Sequence, residues 1–113
     1  MDGGSLERMV QNAESIPQVR KCDLHEGDLV YVKTYNSVYS IRSVRDRFFK
    51  ISGGWFAKKG FRSALTKING CTWGGSVIKT DIVAGCGLSL EFGNRVCTSA
   101  IQKIFVLRRE CFN

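Results

Sequence analysis

The sequence predicts a mainly β fold: a small antiparallel barrel or sandwich of about seven short strands, with a short N-terminal helix. Three observations carry this. At 113 residues the chain fits one domain with a small core. From Leu29 onward it divides into short segments rich in β-branched and aromatic residues, several alternating apolar with polar positions. Glycine and asparagine separate those segments, and the single proline argues against a disordered or proline-rich tail. Residues 1–27 are read as helix and linker, and residues 28–113 as one β domain.

In chain order, Leu6, Met9, Val10 and Ala13 fall at i, i+3, i+4 and i+7, one apolar stripe of a helix. Ser5 is its candidate N-cap, and Pro17 forbids continuation much past Ser15. Gln18 to Gly27 reads as a linker. Asp28 to Thr34 reads as a strand, Tyr35-Asn36-Ser37 as a turn, and Val38 to Val44 as the returning strand. Asp46 permits another turn before Phe48 to Ser52, which Gly53-Gly54 ends. Trp55-Phe56-Ala57 is expected to be a fourth, short strand.

Phe61 to Ile68 fits either a helical stripe or strand alternation, and its strand neighbours favour the strand. Asn69-Gly70 and Gly74-Gly75 read as punctuation around Trp73. Val77 to Val83 is a strand interrupted by Asp81. Leu88, Leu90 and Phe92 alternate with Ser89 and Glu91 as a half-buried strand. A three-residue loop Gly93-Asn94-Arg95 sets Phe92 opposite Val96 and Leu90 opposite Thr98, continuing the apolar face across the hairpin. Ile101 to Leu107 is the last strand.

Charge is unevenly distributed. Residues 1–28 are net −3, residues 29–80 net +9 and residues 81–113 net +1, for a total of +7. One contiguous stretch therefore sets the basic character and creates a field that attracts polyanions. The longest uninterrupted apolar run, Ile104 to Leu107, is far short of the ~20 residues that span a bilayer. With no apolar leader segment near Met1, no export and a cytoplasmic setting are expected. Five cysteines without such a leader are expected to be free thiols.

Signs of catalysis are sparse. The only histidine, His25, lies in a polar linker between Asp23 and Glu26, and Cys22-x-x-His25 lacks the second close pair a zinc site needs. Asp81 and Glu91 are isolated carboxylates. The Gly-Gly-Ser at residues 74–76 is not followed by Lys-Ser/Thr at phosphate-loop spacing. A non-enzymatic binding module with no cofactor and no metal is expected.

Thr34-Tyr35-Asn36-Ser37-Val38-Tyr39, Gly53-Gly54, the segment Gly70 to Lys79, Leu88 to Phe92 and Thr98-Ser99 together resemble a family of short bacterial proteins of uncharacterised function. Its marks are Thr-x-Asn-Ser-x-Tyr, a Gly-Gly-Ser segment followed by an apolar residue and Lys, and a late hairpin ending in Thr-Ser. The resemblance covers roughly residues 28–106. It implies a compact β domain and brings no activity with it.

The basic stretch places Lys33, Arg42, Arg47, Lys50, Lys58, Lys59 and Arg62 near Trp55, with Arg45, Tyr35, Phe49 and Phe56 among them. Cations follow a phosphate backbone and exposed rings stack bases, the combination used by single-strand binders on small barrels. Nucleic acid is thus the expected partner. The alternatives are another protein, through a sheet edge or an aromatic patch, or a small ligand. Strand edges also make a homodimer an expected assembly.

Overall fold

The computed structural model describes residues 15–73 and 77–109. The stripe from Leu6 to Ala13 and the Gly74-Gly75 punctuation lie outside the described residues. Among the described residues ten strands form three antiparallel sheets. The largest is five-stranded, in the order β10 (Ile101–Leu107), β2 (Leu29–Thr34), β3 (Val38–Ser43), β4 (Phe49–Gly53) and β5 (Ala64–Thr66). A three-stranded sheet runs β7 (Val77–Lys79), β6 (Ile68–Trp73) and β9 (Ser89–Phe92), and β1 (Gln18–Arg20) pairs with β8 (Ile82–Gly85). No described helix is long and apolar enough to cross a membrane.

Alternation decides what is inside. Val30 and Val32 of β2, Tyr39 and Ile41 of β3, and Phe49 and Ile51 of β4 are buried on one face of the large sheet. They meet Ile68 and Cys71 of β6, Val83 of β8, Leu90 and Phe92 of β9, and Ile104 of β10 in one continuous core. Burial of such side chains contributes about 1.5–3 kcal/mol each, so this core outweighs any single surface contact.

Three elements differ from the sequence expectation, each for a tertiary reason. Gln18 to Arg20 is a strand rather than linker: it pairs with β8 and buries Val19 opposite Ala84. A three-residue strand has one inward position, too few to show a period. The 3-10 turn Lys21–Asp23 follows it.

Trp55-Phe56-Ala57 belongs to a one-turn helix, α1 (Gly54–Lys58), not a strand. Gly53 leaves β4 at φ +93°, and Gly54, at φ +50°, lies so close to the Tyr39 ring that any side chain there would collide with it. The Tyr39 hydroxyl accepts the Trp55 N–H at 3.1 Å. Phe56 is thereby swung into the core, edge-on to Phe92 at 4.9 Å between centroids.

Asn69-Gly70, read as punctuation, lies inside β6. Gly70 sits at φ +146° against the Lys79 backbone, and the β6–β9 register shifts between Ile68 and Gly70. The pair is thus a bulge within a strand. The Asn69 amide donates to Glu91 Oε2 at 2.7 Å and to the Phe92 carbonyl at 3.1 Å.

The predicted hairpins at both ends of the domain are present. Phe92 N–H donates to the Val96 carbonyl, Arg95 N–H closes the three-residue loop onto the Phe92 carbonyl, and Arg95 takes φ +68°. Thr34 Oγ1 bonds both the backbone N–H and the carbonyl of Ser37, pinning the β2–β3 turn. That turn is tied to the Thr98-Ser99 segment, since Asn36 N–H donates to Ser99 Oγ at 3.1 Å. The Thr34–Tyr39 and Thr98-Ser99 marks of the resemblance therefore meet in space as a loop clamp.

Candidate functional site

The outward face of the five-stranded sheet follows from strand register. With Val30, Val32, Ile41 and Ile51 turned in, Tyr31, Lys33, Ser40, Arg42, Lys50 and Ser52 turn out. A register shift in β10 between Ile101 and Lys103 resets its alternation, so that Lys103 and Phe105 also face outward. Three rows result. Lys103 stands opposite Lys33, which stands opposite Val38. Phe105 stands opposite Tyr31, followed by Ser40 and Ser52. Arg42 stands opposite Lys50, and Lys50 opposite Leu65.

Both outer rows set two cations directly across from each other. Like charges in that position are destabilising. Between them lies a row with two half-buried rings and two serines. Arg42, Lys50, Ser40, Ser52 and Ser63 border a shallow depression of about 250 Å³ there. Arg42 Nη1 also donates to the Gly27 carbonyl at 3.2 Å, which orients its guanidinium at the edge of the face.

Of the residues anticipated from sequence, Lys33, Arg42 and Lys50 share this face. Arg47 does not: it sits on the β3–β4 turn, beyond the Arg42 end of the strands. Trp55 and Lys58 are on α1 at the opposite end of β4, and Lys59 caps that helix with its Nζ 5.9 Å from the Trp55 ring centroid. Arg62 is exposed in the α1–β5 connection.

Two rings proposed as stacking partners are corrected. Phe49 and Phe56 are 3% and 2% exposed because each supplies an inward position of the core. Trp55 is half-buried, edge-on to Phe56 at 5.2 Å. Tyr35 is exposed but lies on the β2–β3 turn. Tyr31, Phe105 and Lys103 were missed. The alternation Tyr31/Lys33 against Val30/Val32 signalled the first, whereas the β10 register shift that turns out the other two has no sequence signal.

Electrostatic shifts elsewhere are few. Cys71 is fully buried, and burial pushes its thiol up to about 11. The Cys97 thiol is raised by burial and by the neighbouring Glu91 carboxylate. Burial raises Asp28, but hydrogen bonds from His25, Arg109 and Arg108 outweigh it and hold the carboxyl below its ordinary range. His25 is exposed, with its ring 3.8 Å from Asp28. Among the described residues no three of His, Cys, Asp and Glu converge as a metal-binding group.

A separate exposed apolar patch lies on the β6–β7 hairpin, where Trp73, 78% exposed, pairs with Val77. Comparison with family models, curated proteins and solved structures finds no match for this chain.

Proposed function

We propose that this protein is a small non-enzymatic module that binds single-stranded nucleic acid on the outward face of its five-stranded sheet. The observation that carries the reading is the register: Lys103–Lys33 lie beside the Phe105–Tyr31 rings, and Arg42–Lys50 lie beside Ser40 and Ser52 farther along the same row, with Leu29 and Leu107 between Arg42 and the rings' strands. Rings stack bases with little sequence preference, while the cations follow the phosphates. The Lys103–Lys33 pair costs the free protein stability that a bound polyanion repays. The net charge of +7 supports attraction at long range.

The test is fluorescence anisotropy with a labelled pyrimidine oligonucleotide. Binding should weaken steeply with salt, and Tyr31→Ala or Phe105→Ala should each cost about 1–3 kcal/mol of affinity. Absence of binding at low salt removes the reading. A second reading rests on the β6–β7 hairpin, where Trp73 and Val77 are exposed beside the edge strand β7. There the protein would dock a protein partner or a second copy of itself through strand addition. Such association would be insensitive to salt and lost in Trp73→Ser.

A further inference from the structure

Leu29 and Leu107 stand opposite each other on β2 and β10, and strand alternation turns both outward with Tyr31 and Phe105. Leu29 also borders the shallow depression beside Arg42 and Lys50. Yet the two leucines are only 4% and 6% exposed. Neither belongs to the continuous core on the other side of the sheet. A side chain on the open side of a sheet loses its contact with water only beneath a covering group. Arg42 is the β3 neighbour of Leu29, but its guanidinium is drawn to the Gly27 carbonyl. Leu107 lies two strands from Arg42, roughly 10 Å away. With the half-buried rings of Tyr31 and Phe105, the leucines make one apolar strip across the β10–β2 end of the face.

The chain itself supplies a segment of matching chemistry at this place. Ile16 N–H donates to the Ile104 carbonyl at 2.9 Å, so residues 1–14 join the domain at the edge of β10, beside Phe105. The inner side of that edge is filled by the core, which leaves the outward face within reach. At helical spacing Leu6, Met9, Val10 and Ala13 form a stripe about 10 Å long. That length matches two interstrand spacings of about 4.8 Å.

Charge is complementary as well. Residues 1–14 hold Asp2, Glu7 and Glu14 against Arg8, a net −2. Glu7 and Glu14 are seven positions apart and fall on one flank of the stripe. The strands of the outward face carry Lys33, Lys103, Arg42 and Lys50 and no carboxylate.

We propose that residues 5–14 seat as an amphipathic helix on the strip formed by Leu29, Leu107, Tyr31 and Phe105, with Glu7 and Glu14 meeting the cations beside it. The seat itself needs no nucleic acid. Its consequence rests on the nucleic-acid reading of the face: a helix over Tyr31 and Phe105 occupies the rings on which bases would stack. The segment then competes with the strand, and apparent affinity falls with the fraction of molecules whose face is open.

The test begins without a ligand. In the full chain, labelled at methionine and leucine methyl groups, the Met9 methyl should show NOE contacts to the Tyr31 or Phe105 ring and to the Leu29 or Leu107 methyls. Met9→Glu with Val10→Glu should abolish these contacts and shift the amides of Tyr31, Phe105 and Leu107. Amides of β6 and β9 should stay in place, which shows that the domain remains folded. The same double variant should bind a pyrimidine oligonucleotide about tenfold more tightly than wild type. Absence of contacts between Met9 and these four residues overturns the proposal. So do contacts of Leu29 and Leu107 with Phe112 in their place, or amides on β2 and β10 that the double variant leaves unmoved. Contacts present with an oligonucleotide bound by neither protein remove the nucleic-acid reading and leave the seat standing. Contacts present with equal affinity in both proteins overturn the competition.

Discussion

Arg108 Nη1 lies 2.9 Å from Asp28 Oδ2, although 80 positions separate them in the chain. Asp28 is 2% exposed. Its Oδ2 also accepts the His25 N–H, and its Oδ1 accepts the Arg109 N–H, both at 2.9 Å. One buried carboxylate thus fastens the entrance of β2 to the exit of β10, the pair of strands that carries Lys33, Lys103, Tyr31 and Phe105.

Asp28→Asn replaces one of two fully used acceptor oxygens by a donor. It should destabilise the protein by about 2–4 kcal/mol, measured by urea unfolding at neutral pH. Arg108→Ala, which removes a partly exposed partner, should cost less. The carboxyl is held low in the folded state, so its contribution is fully present above the unfolded carboxylate range, about 3.9, and is lost as pH falls through the folded value. Wild type should therefore lose more stability than Asp28→Asn on acidification below about pH 4. Equal slopes would sink this account.

Reversing cations on the outward sheet face should separate stability from binding. Lys103→Glu opposite Lys33 should raise stability by about 0.2–1 kcal/mol, since an attractive pair replaces a repulsive one, and Lys50→Glu removes a further cation from the same face. Both should weaken oligonucleotide binding and flatten its salt dependence. Lys58→Glu with Lys59→Glu, at the C-terminal end of α1 and away from Tyr31 and Phe105, should reduce affinity less than either. A double variant there that abolishes binding would relocate the interface.

Thr72 is 4% exposed, and its hydroxyl has no hydrogen-bond partner among the described residues. An unmade bond of this kind costs about 1–3 kcal/mol. Thr72→Val keeps the shape and removes the hydroxyl, so it should be neutral or stabilising by up to about 1 kcal/mol in thermal unfolding. A clear loss of stability would show that the hydroxyl has a partner after all.

The four described thiols should react in a defined order. Cys22 and Cys86 are exposed, whereas Cys71 is fully buried, with its thiol at about 11 and donating to the Val83 carbonyl at 3.5 Å. Timed alkylation at neutral pH, read by mass spectrometry, should label Cys22 and Cys86 first. Cys97 should follow more slowly, because burial and the Glu91 carboxylate disfavour its thiolate. Cys71 should be labelled only at the rate of unfolding. Early labelling of Cys71 would mean that the β6–β8 contact opens in the native state.

Much of the fold was legible in the chain itself. Alternation in residues 29–52 and 88–92 marked β2, β3, β4 and β9 and their inward residues, because period-two burial needs only a strand and one apolar side. Turn chemistry at Thr34 to Ser37 and Gly93 to Arg95 was equally local. The charge count by itself concentrated the cations between Leu29 and Thr80, and alternation turned Lys33, Arg42 and Lys50 outward. Which rings accompany them was a matter for the tertiary structure. Packing on Tyr39 and Phe92 turned Trp55 to Ala57 into a helix and buried Phe56. A register shift in β10 brought Phe105 and Lys103 alongside Tyr31 and Lys33. A bulge at Gly70 kept an apparent turn inside a strand. Each depends on contacts between residues far apart in sequence, and no periodicity within a single segment encodes the partner against which it will be aligned.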